Sequence, residues 1–177
     1  MAATKMIFAG TGGQGVVLIG QMVSYAALYE DKQTTFFPSY GPEMRGGTAN
    51  STVIVSDKPI ASPTVFEADC VIAMTLPSMV KFEKIVKPGG VILLNTTAID
   101  KTPERTDIRV LEIPAAKIAR ELGDVRAANM VMLGAAIRAT NVVSQATIEK
   151  VMREHAFTGA KAASIPLNVK AFEYFKG

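Results

Sequence analysis

The chain has 177 residues, of which 49% are hydrophobic, and its formal net charge is +3. This length suits one ordinary domain with a full core, so we expect a single domain spanning residues 1–177. The basic residues are scattered rather than clustered, which argues against a nucleic-acid surface. No apolar run approaches the roughly 18 residues of a membrane span, and the N-terminus has no signal-peptide pattern. We therefore expect a cytoplasmic protein that contacts neither membrane nor nucleic acid.

The chain contains one cysteine and one histidine, which limits the chemistry that it can perform. Cys70 lies in the apolar run CVIAM and is interpreted as a buried core residue. His155 falls on the polar face of a predicted helix and is interpreted as solvated. A single cysteine excludes a disulfide framework and an iron–sulfur cluster ligated by this chain alone. We expect no catalytic residue and no metal site here, so reactive groups would come from elsewhere.

Residues 6–17 (MIFAGTGGQGVV) predict a short strand, a glycine-rich turn and the start of a helix. Gly10, Gly12 and Gly15 have the G-x-G-x-x-G spacing, and Gly13 adds a fourth glycine. Between a strand and a helix this spacing is typical of a phosphate-binding turn, because the first amides of a helix lack partners within it and attract anions. The alternative is a tight turn with a purely structural role.

A nicotinamide dinucleotide site would also need an acidic residue about 20 residues beyond the glycines, at the end of the second strand. Glu30 and Asp31 lie near that distance, but they precede the next strand-like run, residues 34–37. The turn therefore resembles a phosphate site without a ribose-binding carboxylate. This argues against a free-standing dehydrogenase.

Apolar periodicity predicts strands that alternate with helices over the first 113 residues and a helical remainder. The predicted strands are residues 5–9, 34–37, 51–55, 70–74, 91–94 and 109–113, and the predicted helices are residues 14–29, 77–86, 115–122, 129–140, 145–154 and 166–175. We expect an α/β fold with a Rossmann-like, mainly parallel sheet flanked by helices and a helical C-terminal part. Gly20 inside the first helix predicts a close packing contact.

Residues 38–50 (PSYGPEMRGGTAN) contain two prolines and three glycines, so they are predicted as an irregular loop. Long loops in compact domains are usually functional, which favours a ligand or partner surface. The alternative is a solvated connector in which Glu43 and Arg45 pair with each other.

In parallel sheets ligands gather at the carboxyl ends of the strands. We therefore expect one shared edge formed by the glycine turn, the loop at 38–47, residues 75–78 and residues 95–97. The residues predicted to contact an anionic cofactor at this edge are Gly10, Gly12, Gly13, Gln14, Gly15, Arg45 and Asn95. A structural hydrogen bond is the alternative for Asn95, and also for Asn129.

Four stretches together resemble the gamma subunit of 2-oxoacid:ferredoxin oxidoreductases, and most of all the 2-oxoglutarate type. They are GTGGQGVVLIG from Gly10, SYGPEMRGGTAN from Ser39, VKPGGVILLN from Val86 and AANMVMLGA from Ala127. The resemblance runs from residue 6 to about residue 172. Pyruvate-type gamma chains usually carry an E-R-x-G-like loop where this chain has EMRGG at 43–47. This favours the 2-oxoglutarate or branched-chain group, and pyruvate and indolepyruvate types stay alternatives.

The resemblance implies one subunit of a complex that decarboxylates a 2-oxoacid on thiamine diphosphate, passes electrons to ferredoxin and releases an acyl-CoA. Thiamine diphosphate, Mg and the iron–sulfur clusters would lie in alpha, beta and delta-type partner subunits. Coenzyme A would contact the glycine turn of this chain. The isolated chain would be inactive, and its self-association stays open.

The loop is expected to contact the alpha or beta subunit through Tyr40, Gly41, Pro42, Glu43, Met44, Gly46 and Gly47. Arg45 would contact the anion or pair with a partner subunit. A third hypothesis is an assembly module that binds no small ligand.

Overall fold

The computed structural model describes residues 3–42 and 46–175, and within them a six-stranded sheet forms the centre of the molecule. The strands are β1 (Thr4–Thr11), β2 (Gln33–Tyr40), β3 (Thr48–Ser56), β4 (Ala68–Ala73), β5 (Val86–Asn95) and β6 (Arg109–Ile113). Their spatial order is β2-β3-β1-β4-β5-β6. β1, β4, β5 and β6 run parallel, whereas β3 is antiparallel to both β1 and β2. The predicted α/β class is confirmed, with a mixed sheet in which a β2–β3 hairpin extends the parallel part.

Helices cover both faces of the sheet, as its buried, apolar strands require. They are α1 (Val16–Tyr29), α2 (Leu76–Phe82), α3 (Ala115–Leu122), α4 (Ala128–Thr140), α5 (Gln145–Val151) and α6 (Ile165–Phe172). The larger core cluster joins one sheet face to α1, α4 and the C-terminal helices, and the smaller one joins the opposite face to α2. Within the described residues, no helix combines the length and the apolar character that crossing a bilayer requires.

The glycine within α1 marks the close contact that the sequence predicted. A Cβ atom on Gly20 would meet the side chains of Ser51 and Phe8. The Ser51 hydroxyl donates a 2.8 Å hydrogen bond to the carbonyl of Val16. The missing side chain therefore lets α1 lie directly on β1 and β3, which fixes where α1 begins.

Both ends of the predicted irregular loop at residues 38–50 are strand. Pro38 and Tyr40 belong to β2, and residues 48–50 begin β3, so the connection shortens to residues 41–47. Because β2 is an edge strand, the N–H group that Pro38 lacks is not needed for pairing on its outer side. Glu43, Met44 and Arg45 lie outside the described residues.

The end of the second predicted helix was also placed too late. Helix α2 ends at Phe82, a 3₁₀ turn covers Glu83–Ile85, and β5 begins at Val86. The KPGG sequence was predicted as a helix terminus, yet it belongs to β5, where the amide of Gly89 donates to the carbonyl of Asp107 at 2.8 Å. The positive φ of Gly89, 76°, bends the strand there.

The C-terminal helices lie close to their predicted positions, but π-helical and 3₁₀ turns connect them. The methionines of α4, Met130 and Met132, are fully buried, as expected of core residues. The helix capped by Ser144 ends at Val151 and continues as a π-helical turn, Met152–Ala156, with a bond from the Phe157 amide to the Met152 carbonyl. A 3₁₀ segment, Gly159–Ser164, then leads into α6.

Candidate functional site

The carboxyl ends of β1, β2, β4 and β5 lie at one edge of the sheet, as expected. The Gly12 amide donates to the Gly47 carbonyl at 2.9 Å, which joins the glycine turn to the 41–47 loop. The Met74 amide donates to the Ala9 carbonyl at 2.8 Å, and the Asn95 side chain contacts the Met74 carbonyl at 3.4 Å. These contacts make the glycine turn part of a continuous edge.

The row of amides predicted to face an anion is only partly available. The Gly12 amide is taken by Gly47, and the Gln14 amide donates to the Thr11 carbonyl at 3.2 Å. The amides of Gly13 and Gly15 have no acceptor among the described residues. Two amides rather than a full row therefore remain to bind a ligand.

Two of the predicted contact residues brace the turn. Gly10 belongs to β1 and pairs with Ala49, so it lies before the turn rather than in it. The side-chain oxygen of Gln14 accepts a 2.8 Å hydrogen bond from the Thr11 amide and holds the loop closed. Both positions therefore have a structural role, although Gln14 also reaches the wall of the cleft described below.

Gly13 and Gly15 have left-handed backbones with different surroundings. Gly13 has φ 91°, and a Cβ atom there would meet nothing within 4 Å. Gly15 has φ 72°, and a Cβ atom there would collide with the side-chain amide of Asn129, which contacts the Gly15 carbonyl at 3.4 Å. Gly13 therefore faces open space, whereas Gly15 is the point where α1 meets the start of α4. For Asn129 the structural hydrogen bond is confirmed.

A cleft of about 520 Å³ opens beside the turn. One wall is the turn with the start of α1, and a second is the segment that leads into α4. The third comes from the C-terminal part of the chain. The lining residues are Gly13, Gln14, Gly15, Leu18, Asp124, Arg126, Ala127, Asn129, Ala156, Phe157, Ala160, Lys161, Ala163, Ser164, Leu167 and Asn168.

The cleft holds two cations and one carboxylate. Asp124 and Arg126 form an ion pair with an O–N distance of 2.6 Å, and Asp124 also accepts from the Arg126 amide at 2.9 Å. This pairing holds the pKa of Asp124 below its usual value and that of Arg126 above it, chiefly through the side-chain hydrogen bonds. Lys161 has no ion-pair partner within the described ranges. The cleft therefore has an excess of positive charge beside the two amides.

Sequence reasoning missed this second and third wall of the cleft. The sequence offers one local signal, since Asp124 follows a glycine and precedes a helical run, the position of an N-cap that accepts from the Arg126 amide. Nothing local indicates Lys161 or Ser164, which reach the turn only through the tertiary fold.

Asn95 is a structural residue of the edge. Its side chain is nearly fully buried. The amide nitrogen donates to the Met74 carbonyl, and the oxygen accepts from the Ala116 amide at 3.3 Å. Asn95 therefore joins the end of β4 to the start of α3, which favours the structural alternative over ligand contact.

The predicted partner-contact loop is exposed where the structure describes it. Tyr40 is 67% exposed at the end of β2, and Pro42 and Gly46 are exposed as well. The Gly41 amide donates to the Thr48 carbonyl at 2.7 Å and closes the hairpin. Tyr40 therefore presents an exposed aromatic ring at the end of β2, with β3 between it and β1.

The acidic residues that could have bound a ribose lie at the wrong end of α1. Glu30 accepts from the amide of Ser144 at 2.7 Å and from the Lys32 ammonium at 2.8 Å. These bonds attach the end of α1 to the start of α5, away from the glycine turn. A ribose-binding carboxylate is therefore not among these residues.

His155 has partners that the sequence did not indicate. Its ring stacks on Tyr25 with centroids 4.3 Å apart and planes 5° from parallel. Its Nε2 lies 2.8 Å from the hydroxyl of Tyr29, which donates to Glu154 at 2.5 Å. The hydrogen bond to Glu154 is the main cause of the raised pKa of Tyr29. His155 is exposed, as the sequence predicted, and aromatic residues of α1 contact its ring.

The one cysteine lies in the core, away from the surface of this edge. Cys70 is fully buried, and burial raises the pKa of its thiol to about 12. Residues 3–42 and 46–175 contain no cluster of three metal-ligating side chains. The fold and the edge thus define a class, an α/β domain with a cation-lined cleft at the carboxyl ends of its parallel strands.

The chain belongs to the pyruvate ferredoxin/flavodoxin oxidoreductase family, whose model matches residues 5–174. It is 36% identical to the 2-oxoglutarate synthase subunit KorC of Methanocaldococcus jannaschii, over 94% of this chain and 91% of that protein. It is 30% identical to the common gamma subunit of the pyruvate/ketoisovalerate oxidoreductases of Thermococcus kodakarensis, again over 94% and 91%. The resemblance drawn from the four motifs is confirmed.

Solved structures agree with this assignment. The gamma subunit of a keto/oxoacid ferredoxin oxidoreductase from Geobacter sulfurreducens has a TM-score of 0.85 at 32% identity, covering 98% of this chain and 94% of that chain. A 2-oxoglutarate:ferredoxin oxidoreductase from Magnetococcus marinus, solved with 2-oxoglutarate, coenzyme A and succinyl-CoA bound, shares the fold with a TM-score of 0.86 at 23% identity. The alignment covers 98% of this chain and 30% of that longer chain. The protein is a gamma-type oxidoreductase subunit, and its relatives act on different 2-oxoacids.

Proposed function

We propose that this chain is the gamma subunit of a complex that oxidatively decarboxylates 2-oxoglutarate, and that its cleft binds the phosphate end of coenzyme A. The 2-oxoglutarate assignment is supported by the KorC relative, which matches 94% of this chain, and a branched-chain 2-oxoacid is the alternative, because the ketoisovalerate subunit VorA of Methanothermobacter marburgensis is 39% identical over 73% of this chain. The alpha, beta and delta-type partners would hold thiamine diphosphate, Mg and the iron–sulfur clusters and would pass electrons to ferredoxin.

The observation that carries the coenzyme A proposal is the cleft at the glycine turn. Its volume lies in the range of ordinary ligand sites. Gly13 and Gly15 lie at the N-terminal end of α1 and line the cleft, and a helix N-terminus favours a phosphate. Arg126 and Lys161 lie on the opposite walls, so an anion would meet both fixed dipoles and mobile charges.

The chain's part in the reaction is binding and orientation. Coenzyme A supplies the thiol that accepts the acyl group. The residues of this chain would hold its charged end while the thiol reaches the active site of the partner subunits. The buried Cys70, with its raised thiol pKa, takes no part. This division fits a cleft whose charged side chains are two cations and one carboxylate that is paired with Arg126.

The loop beside the cleft is the proposed contact with the alpha or beta subunit. Tyr40 is exposed, and Gly47 ties the loop to the glycine turn through Gly12. A subunit that docks on this loop would therefore lie next to the cleft. The common gamma subunit of the Thermococcus enzymes serves two oxidoreductases, which suggests that the other subunits select the 2-oxoacid.

The test uses the complete complex, reconstituted with variants of this chain. Arg126→Ala and Lys161→Ala should each raise the KM for coenzyme A about five- to tenfold, since each removes an exposed charged contact, with kcat unchanged at saturation. Lys84→Ala removes an exposed charge at the opposite edge of the sheet and is the matched control. A KM for coenzyme A that matches wild type in both cleft variants, in an intact complex, would overturn the proposal and leave an assembly role.

Arg45 lies outside the described residues and stays a proposed contact. Arg45→Ala should lower the rate of acyl-CoA formation at limiting coenzyme A. If it changes assembly instead, as measured by gel filtration of the complex, Arg45 pairs with a partner subunit. Substrate choice is tested by comparing kcat/KM for 2-oxoglutarate, pyruvate and ketoisovalerate, with 2-oxoglutarate expected to be highest.

A further inference from the structure

The segment from residue 142 to residue 164 runs back along α1, from its C-terminal end to the glycine turn. Its start is attached by the Lys32 ammonium, which donates to the Val142 carbonyl at 2.7 Å. Its end carries Lys161 and Ser164 into the cleft. One wall of the cleft is thus the far end of a segment that must follow α1 for its whole length.

Near the middle of this segment, Glu154 and His155 contact two tyrosines of α1. Tyr25 and Tyr29 are four residues apart in α1, so they share one face of the helix. His155 stacks on the first and contacts the hydroxyl of the second, and Glu154 accepts from the same hydroxyl. We call this group of Tyr25, Tyr29, Glu154 and His155 the tyrosine clasp.

The proton positions in the clasp follow from its geometry. The Tyr29 hydroxyl has one hydrogen, which it donates to Glu154. Its oxygen is then an acceptor, so Nε2 of His155 carries the hydrogen that it donates to Tyr29. The ammonium of Lys150 lies 4.3 Å from the centre of the Tyr29 ring. The hydroxyl therefore connects two consecutive residues of the π-helical turn, Glu154 and His155, to a single point on α1.

The clasp is continuous with the cleft. A small cavity lined by Leu18, Tyr25, His155 and Ala156 adjoins it, and Leu18 and Ala156 also line the large cleft. Ala156 ends the π-helical turn, and Phe157 follows it into the cleft wall. A π turn inside a helical segment often marks a functional site, because it offsets the residues that follow it.

We propose that the tyrosine clasp is a positioning device that sets the third wall of the coenzyme A cleft. This inference rests on the proposed function for the identity of the ligand. Fixing the π-helical turn against α1 fixes Ala156 and Phe157 in the cleft that the glycine turn also lines, and it sets the position of the following wall residue, Lys161. The clasp residues themselves touch no ligand.

Two variants remove the clasp's hydrogen bonds while keeping its rings. Tyr29→Phe loses the hydroxyl, and His155→Phe keeps a flat ring on Tyr25 but loses the donor. In the reconstituted complex each should raise the KM for coenzyme A about three- to tenfold, the size of a lost hydrogen bond, with kcat at saturation unchanged. The double variant should have about the same KM for coenzyme A as Tyr29→Phe, because both hydrogen bonds end on the one hydroxyl oxygen of Tyr29.

The matched control is Tyr174→Phe. Its hydroxyl has no hydrogen bond to a described residue, and its ring packs edge-on against Phe175 beyond the end of α6. It should leave both KM and kcat at wild-type values. A fall in kcat with unchanged KM in the clasp variants would indicate general structural damage and would overturn the positioning role.

A ligand-independent measurement separates this inference from the proposed function. Hydrogen exchange of the full-length chain should be about fivefold faster at residues 153–164 in Tyr29→Phe than in wild type or in Tyr174→Phe. If exchange there is unchanged, the clasp does not position the wall, whatever binds in the cleft. If exchange quickens but Arg126→Ala and Tyr29→Phe both leave the KM for coenzyme A unaltered, the coenzyme A assignment fails while the clasp stands. If Arg126→Ala alone raises that KM, the clasp proposal falls.

Discussion

The two ends of α1 differ in their contacts. The C-terminal end is joined to other segments by hydrogen bonds, and we call it the closed end. The N-terminal end faces the cleft, and we call it the open end. At the C-terminal end, Glu30 accepts from the Ser144 amide and from Lys32, and Lys32 also donates to the Val142 carbonyl. The last carbonyls of α1, those of Ala26, Ala27 and Leu28, accept from backbone amides of residues 30–32. This end therefore has a structural role, and it fastens the segment that runs back along the helix.

At the N-terminal end, the amides of Gly13 and Gly15 have no acceptor in the part of the chain that the structure describes. Gly15 caps the helix with a left-handed backbone and no side-chain bond. The cleft opens at this point, with Arg126 and Lys161 on its walls. The comparison teaches that a glycine-rich helix start indicates a ligand only where the fold leaves its amides uncovered and adds charge nearby.

The largest expected effect distinguishes the two glycines of the open end. Gly15→Ala should lower the free energy of unfolding by about 2–4 kcal/mol, because the new methyl group meets Asn129 and a left-handed backbone becomes strained. Gly13→Ala should lower the free energy of unfolding by only about 1–2 kcal/mol, because its new methyl group faces open space and only the left-handed backbone is strained. Urea denaturation of both variants measures the difference. Equal losses would mean that Asn129 does not hold Gly15 in place.

The next effect concerns the closed end. Glu30→Ala should lower the free energy of unfolding by about 1–2 kcal/mol, because the Ser144 amide loses its acceptor and the Lys32 ammonium keeps only the Val142 carbonyl. The KM for coenzyme A in the complex should stay at the wild-type value. Glu121→Ala, an exposed carboxylate on α3, is the control and should change stability by less than about 0.5 kcal/mol. A raised KM in Glu30→Ala would show that the closed end also shapes the cleft.

The smallest effect is the pH dependence of the same contact. Burial by itself raises the pKa of Glu30, but the hydrogen bonds from Lys32 and Ser144 outweigh it and hold the pKa below its ordinary 4.5. The carboxylate therefore stabilises the fold fully above pH 4.5, and this contribution is lost as the pH falls through the lowered value. The stability difference between wild type and Glu30→Gln should shrink between pH 6 and pH 3.5, as measured by urea midpoints. A constant difference would contradict the assignment.

The sequence predicts most elements of this fold, because the core strands are continuous apolar runs and Gly20 marks where α1 meets the sheet. It fails where tertiary context overrides a local signal. Pro38 is tolerated in a strand because β2 lies at the edge. The KPGG sequence enters β5 because Gly89 bonds to Asp107. Such partners lie far along the chain and leave no local pattern.

For the candidate site, the glycine turn and the shared edge could be predicted, but the cleft could not. The amide of Gly12 donates to the Gly47 carbonyl, and the side chain of Asn95 donates to the Met74 carbonyl. Both acceptors are distant in sequence and are brought close only by the fold. Glu154 and His155 of the tyrosine clasp reach α1 from more than 120 residues away, as the separation of 125 between Tyr29 and Glu154 shows. Only the three-dimensional structure shows this wall.

The most direct test of the cleft is hydrogen exchange of the assembled complex, followed by mass spectrometry, with and without coenzyme A. If coenzyme A binds in the cleft, a saturating concentration will slow exchange in peptides covering residues 13–18 and 156–164 and will leave exchange at residues 28–32, at the closed end of α1, unchanged. If coenzyme A binds at saturation and exchange in both cleft segments stays the same, the ligand lies elsewhere and the account is wrong.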